Sequence, residues 1–181
     1  MKWMASLTVA CVGLLLAIGV PSAAWAHSFS YSTVLGCTGF DCAVSLDHED
    51  SNPYKGWANI TIQNTGTEAW GDFHLEIFEV PGYGSVENVD FIVAPPYEPT
   101  STQSGLTWAV DNTVVGATLD LFFYSDPVNP GETATFSVYT DNSTDKLAFF
   151  GTMFYATPVP EPGTFLLLGL GLIGISRLNK R

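Results

Sequence analysis

Along the middle of this chain, apolar and polar residues alternate with a period of two. That pattern constrains the fold more than any other feature of the sequence. The stretch "WANITIQN" sets Ala58, Ile60 and Ile62 against Asn59, Thr61 and Gln63. "GDFHLEIF" sets Phe73, Leu75 and Ile77 against Asp72, His74 and Glu76. "VVGATLDLFF" sets Val115, Ala117, Leu119, Leu121 and Phe123 against Thr118 and Asp120, and "TATFSVYT" repeats the scheme with Phe136 and Val138. Successive side chains of a strand point to opposite faces, so each stretch buries one side and wets the other. Clusters of Gly, Pro, Asn and Asp separate them: "QNTGTEAWG", "VPGYG", "APPYEPTST" and "SDPVNPGE". Pro130-Gly131 suits the central pair of a type II turn, whose second residue needs a positive φ.

About eight short strands and no convincing amphipathic helix follow from this reading. The expected fold class is all-β: an antiparallel β-sandwich, immunoglobulin-like in general architecture. The Cys and Trp spacing does not match a true immunoglobulin domain. Ala94 to Ser104 is expected to form a long surface loop, and Thr157 to Gly163 a proline-rich linker.

The two ends of the chain differ from this middle. Met1 to Ala26 reads as a secretory signal peptide, expected to be helical. Lys2 is its positive end, Leu7 to Val20 its apolar run, and Ala24-Trp25-Ala26 its small-residue cleavage site. The apolar run is shorter than the ~20 residues of a membrane span. Cys11 lies inside the run rather than after it, so a lipoprotein site is rejected. The mature chain is then expected to start at His27.

Residues 27–157 are enough for one domain with its own core. They keep Lys55 and Lys146 against 17 of the chain's 18 acidic residues, a net charge of −15. Such a surface repels nucleic acid and anionic lipid headgroups, so nucleic acid is not an expected partner. The same charge could attract divalent cations or simply serve solubility, and solubility is the favoured reading.

Cys37 and Cys42 are the cysteines left after cleavage. An exported chain meets an oxidising compartment, so they are expected to form a disulfide around "CTGFDC". Closing so short a loop stabilises by about 2 kcal/mol. No second Cys or His pair completes a metal site around them.

The remaining candidates are weaker. Asp72, His74 and Glu76 share a strand face and could bind a metal or act as acid and base. Their apolar neighbours favour a solvated strand face instead. The loops "DHEDSN" (Asp47 to Asn52) and "DNSTDK" (Asp141 to Lys146) are oxygen-rich, as calcium prefers, but neither has the glycine of an EF-hand. Trp57, Trp70, Trp108, Tyr83 and Tyr97 could stack on sugars if exposed. Asn59 and Asn142 match N-glycosylation acceptors. No G-x-S-x-G motif and no glycine-rich phosphate loop occurs. The expectation is a non-enzyme with no catalytic residues, no resident metal and no cofactor.

The chain closes on "PVPEPGTFLLLGLGLIGISRLNKR". A proline-bracketed acid precedes an apolar run from Phe165 to Ile175, and Arg177, Lys180 and Arg181 follow it. As a helix, residues 164–176 reach about 20 Å at 1.5 Å per residue, against a hydrocarbon core of ~30 Å. Local thinning makes this workable, with the basic end on the cytoplasmic side. Such a tail is either a transient anchor that an enzyme removes or a permanent short span.

Val159-Pro160-Glu161-Pro162, the apolar run and the basic end resemble the PEP-CTERM sorting signal of Gram-negative bacteria. The same segment also goes by the name ice-binding protein C-terminal domain, which implies no ice binding here. The resemblance covers residues 158–181. It implies recognition by exosortase, a membrane protease-transpeptidase, with Pro160-Glu161-Pro162 as the recognition element. It also implies membrane attachment through the C-terminal helix until processing. Delivery to the cell surface or exopolysaccharide matrix follows, with a structural or adhesive role. The alternative is a calcium- or polysaccharide-binding module.

Overall fold

The computed structural model describes residues 27–159. They form ten strands: β1 (His27–Leu35), β2 (Val44–Glu49), β3 (Lys55–Asn64), β4 (Trp70–Phe78), β5 (Asp90–Ile92), β6 (Thr100–Ser101), β7 (Thr107–Asp111), β8 (Thr118–Phe122), β9 (Thr133–Asp141) and β10 (Phe149–Pro158). Among the described residues the helical content is one 3₁₀ turn, Phe40–Cys42. The signal-peptide helix and the C-terminal hydrophobic helix expected from the sequence lie outside the described residues.

The strands make two sheets. The first runs β1-β3-β9-β5, with β6 also on β9, and the second runs β2-β10-β4-β8-β7. All pairings are antiparallel but one: β1 lies parallel to β3, with His27 opposite Gly56 and Leu35 opposite Asn64. A fully antiparallel architecture therefore needs this correction. The reason is topological. The chain leaves β1 for the other sheet, forms β2 there, and returns to β3 from the same end at which β1 began.

The sheets pack face to face through the apolar sides of the alternating stretches. Ile60, Ile62, Phe136 and Val138 of the first sheet share one core with Phe73, Leu75, Leu119, Leu121 and Phe154 of the second. Across that core the rings of Phe73 and Phe136 stack at 4.6 Å. Burying a side chain of this size contributes roughly 1.5–3 kcal/mol.

Most predicted inward faces are buried, with an exception at Val115, which is 62 % exposed. Gly116, at φ +86°, turns the chain just before β8, and a Cβ there would lie 2.6 Å from the Ile77 carbonyl oxygen. The alternation therefore starts after the turn, not before it. The turn at Pro130-Gly131 is as expected: Gly131 has φ +88° and the Glu132 amide donates to the Asn129 carbonyl at 2.9 Å. Two loops are shorter than the composition suggests. β6 interrupts the Ala94–Ser104 segment, and β10 continues through Thr157 and Pro158.

Cys37 and Cys42 are bonded, around the 3₁₀ turn. The Gly39 amide donates to the Ala156 carbonyl at 2.8 Å, which ties the disulfide loop to β10.

Candidate functional site

Two clusters of imidazole and carboxylate groups stand out, and alternation explains both. In "VSLDHE" the inward positions are Val44, Leu46 and His48, so a histidine takes a core-facing place at the end of β2. In "HSFSYS" the partly buried positions are His27, Phe29 and Tyr31, with serines between them. β1 is an edge strand of the first sheet and β2 an edge strand of the second. His27 and His48 meet where these edges approach, their rings stacked at 5.3 Å.

Asp50, just past β2, completes the group. Its Oδ1 lies 3.5 Å from His27 Nδ1 and 3.9 Å from His48 Nε2. The three candidate donor atoms lie within 4.8 Å of one another. His48 and Asp50 are buried and His27 half-buried. Burial pushes the Asp50 carboxyl up, but His48, Asn142 and the Ser51 amide outweigh it and hold it below the ordinary carboxylate value. The His48 ring stacks on Phe29 at 4.1 Å and meets Phe150 edge-on at 5.1 Å.

The second cluster is on β4 and its neighbours. His74 Nδ1 is 2.6 Å from Asp120 Oδ1. Its Nε2 lies 3.2 Å from Asp72 Oδ1, an ion-pair contact rather than an aligned hydrogen bond. The Asp72 carboxylate beside Nε2 leads the causes that raise the His74 pKa above its ordinary value; burial opposes it and Asp120 adds to it. Asp72 is buried and accepts from Tyr124 Oη at 2.8 Å, from the Thr157 amide at 3.1 Å and from the Thr157 hydroxyl. Burial pushes Asp72 up, yet His74, Thr157 and Tyr124 hold it net below the usual carboxylate range. Tyr124 itself is pushed up to about 12, by desolvation first and then by Asp72.

A solvated face for Asp72, His74 and Glu76 therefore needs correction. Asp72 and His74 are locked in a network, and Glu76 is not in it. The missing partners, Asp120, Tyr124 and Thr157, come from distant stretches of sequence.

The oxygen-rich loops are joined, but by a structural contact. Asn142 is buried, and its amide donates to Asp50 Oδ2 at 3.1 Å and to the Leu147 carbonyl at 2.8 Å. Asp141 turns back on Ser143. Asp47, Glu49 and Asp145 are exposed, while the inward carboxylate, Asp50, faces imidazole nitrogens. Calcium asks for six to eight oxygens, so this is a poor cage for it. Asn142 is equally poor as a glycan acceptor, since its amide is consumed.

The aromatic candidates are scattered. Trp70 is fully buried in the core. Tyr83 packs on Phe149. Trp57 contacts Tyr139 at 5.3 Å, and Tyr97 contacts Tyr139 at 4.2 Å. Trp57 also lines an open groove of about 500 Å³ with Ser28, Asn59, Glu98 and Ser137. Trp108 lines a separate surface recess with Leu106 and Thr107.

Of the sorting residues, Val159 is described: its amide donates to the Ala69 carbonyl at 3.0 Å. Pro160, Glu161, Pro162, Arg177, Lys180 and Arg181 lie outside the described residues, as do Ala24 and Ala26. Among the described residues no helix is long and apolar enough to cross a membrane. A family model for the PEP-CTERM protein-sorting motif matches residues 158–181. No curated protein and no solved structure matches the chain.

Proposed function

We propose that this chain, with a PEP-CTERM protein-sorting motif at its end, is a non-enzymatic cargo domain exported to the surface of a Gram-negative cell. One observation carries the reading: the motif begins at residue 158, where β10 ends. The sorting element thus follows the folded body directly. Residues 1–26 act as the export signal, cut after Ala26. The tail parks the chain in the inner membrane until an exosortase-type protease recognises Pro160-Glu161-Pro162, with Arg177, Lys180 and Arg181 holding the cytoplasmic side. The two sheets act as a sandwich of the general immunoglobulin-like kind, and the role is structural or adhesive within exopolysaccharide.

The test is intact-mass analysis of protein recovered from the native host. Wild type is expected to lack Arg181. A variant with Pro160, Glu161 and Pro162 changed to alanine is expected to keep it. If both keep Arg181, the sorting reading fails.

A second reading, a polysaccharide-binding module, is favoured by the groove beside Trp57. An indole next to Ser28, Asn59, Glu98 and Ser137 offers a stacking face with hydrogen-bonding neighbours. The net charge of −15 on residues 27–157 favours a neutral polymer over an acidic one. Trp57→Ala is then expected to weaken retention on a neutral polysaccharide in affinity electrophoresis. Equal retention of the two proteins rejects this reading.

A further inference from the structure

We propose that removal of the signal peptide completes a copper(II) site at the corner where the edge strands of the two sheets meet. Its ligands are the new α-amino group and Nδ1 of His27, Nε2 of His48 and a carboxylate oxygen of Asp50. The inference rests on the export reading, because the amine exists only if the chain is cut between Ala26 and His27.

The chemistry starts from that amine. An amino-terminal histidine carries two nitrogen donors on one residue, and together they close a six-membered chelate ring on a metal ion. A second imidazole and a carboxylate make a set of three nitrogens and one oxygen. Tetragonal nitrogen and oxygen donors suit Cu(II), which also stands highest in affinity among the divalent first-row ions.

The geometry is close to what an ion needs. Donors at ~2.0–2.2 Å from one metal lie at most about 4.4 Å apart. The candidate atoms here lie within 4.8 Å. The half-buried His27 ring can close that gap, while the other ligands are held in place. His48 is clamped between Phe29 and Phe150. Asp50 is oriented by the Ser51 amide at 2.8 Å and by Asn142 at 3.1 Å. Outer contacts of this kind orient the ligands of metal sites.

The backbone at His27 is also fixed. A Cβ on Gly56 would lie 1.5 Å from the His27 carbonyl oxygen. Only glycine lets the start of β1 settle this close to β3, so the first residue of the mature chain is docked on the sheet. The remaining requirement is a donor that a cut after Ala26 supplies.

The test uses protein exported by a Gram-negative host and purified in detergent, with intact mass to fix its first residue. Copper is removed and then titrated back as Cu(II), followed by electron paramagnetic resonance and thermal unfolding. Three proteins are compared: wild type, a chain with serine inserted between Ala26 and His27, and His48→Phe. The phenylalanine keeps a ring between Phe29 and Phe150 while removing the ligand nitrogen. Wild type is expected to bind one Cu(II) with nitrogen hyperfine splitting and to melt at a higher temperature when loaded. Each variant is expected to bind at least about tenfold more weakly, the loss that even outer-shell changes cause. If mass shows His27 first but the three proteins bind alike, the copper site is refuted and the export reading stands. If the chain starts elsewhere, the export reading's cleavage point is wrong and the site falls with it.

Discussion

At the scale of single residues, His74 shows how a polar position in a strand becomes a structural pin. It sits between Asp120 and the buried Asp72, and its pKa is raised, chiefly by the Asp72 carboxylate. A raised folded-state pKa means that the protonated form is bound more tightly in the native state than in the unfolded chain. The resulting stability is fully present below the unfolded value of 6.5 and is lost as pH rises through the folded value. Urea unfolding from pH 6 to pH 9 is therefore expected to show stability falling with pH. His74→Gln is expected to flatten that slope. A slope that persists in the variant assigns it to another group. The sequence showed His74 on an outward face but gave no sign of this role, because Asp120 lies 46 positions from it, and Tyr124 and Thr157 lie 52 and 85 positions from Asp72. The His27–His48–Asp50 group was half legible. Both histidines sit on the inward phase of an alternation, but that β1 and β2 edge two different sheets at one corner is a property of topology.

At the scale of elements, β1 is the strand that alternation predicts least well in its pairing. Its period of two is plain in "HSFSYS", yet nothing local says that it lies parallel to β3. Gly56 is the residue that permits it, since the Cβ of any other residue would strike the His27 backbone, which has no rotamer with which to yield. Gly56→Ala is expected to detach the start of β1. Amide hydrogen exchange from Ser28 to Tyr31 should speed up markedly, and stability should fall by about 3 kcal/mol, the upper range for overpacking. Unchanged protection across β1 in the variant contradicts the docked N-terminus. β3, β4, β8 and β9 were readable because one face of each is buried and a one-residue slip in register would turn every apolar side chain to water. Short β5 and β6 were not readable, since two or three residues cannot display a period.

At the scale of the whole molecule, the last described strand in the chain is not at a margin. β10 lies in the interior of the second sheet, with β2 on one side and β4 on the other, and among the described residues β2 has no other strand partner. Until Phe149–Pro158 is free to pair, the second sheet remains in two separate pieces with unpaired rims. The greasy segment that follows β10 emerges immediately behind it. On the export route proposed above, completion of the fold and arrest in the bilayer would be nearly simultaneous events. On that route the second sheet is whole before a protease acting on the motif that follows it could release the body.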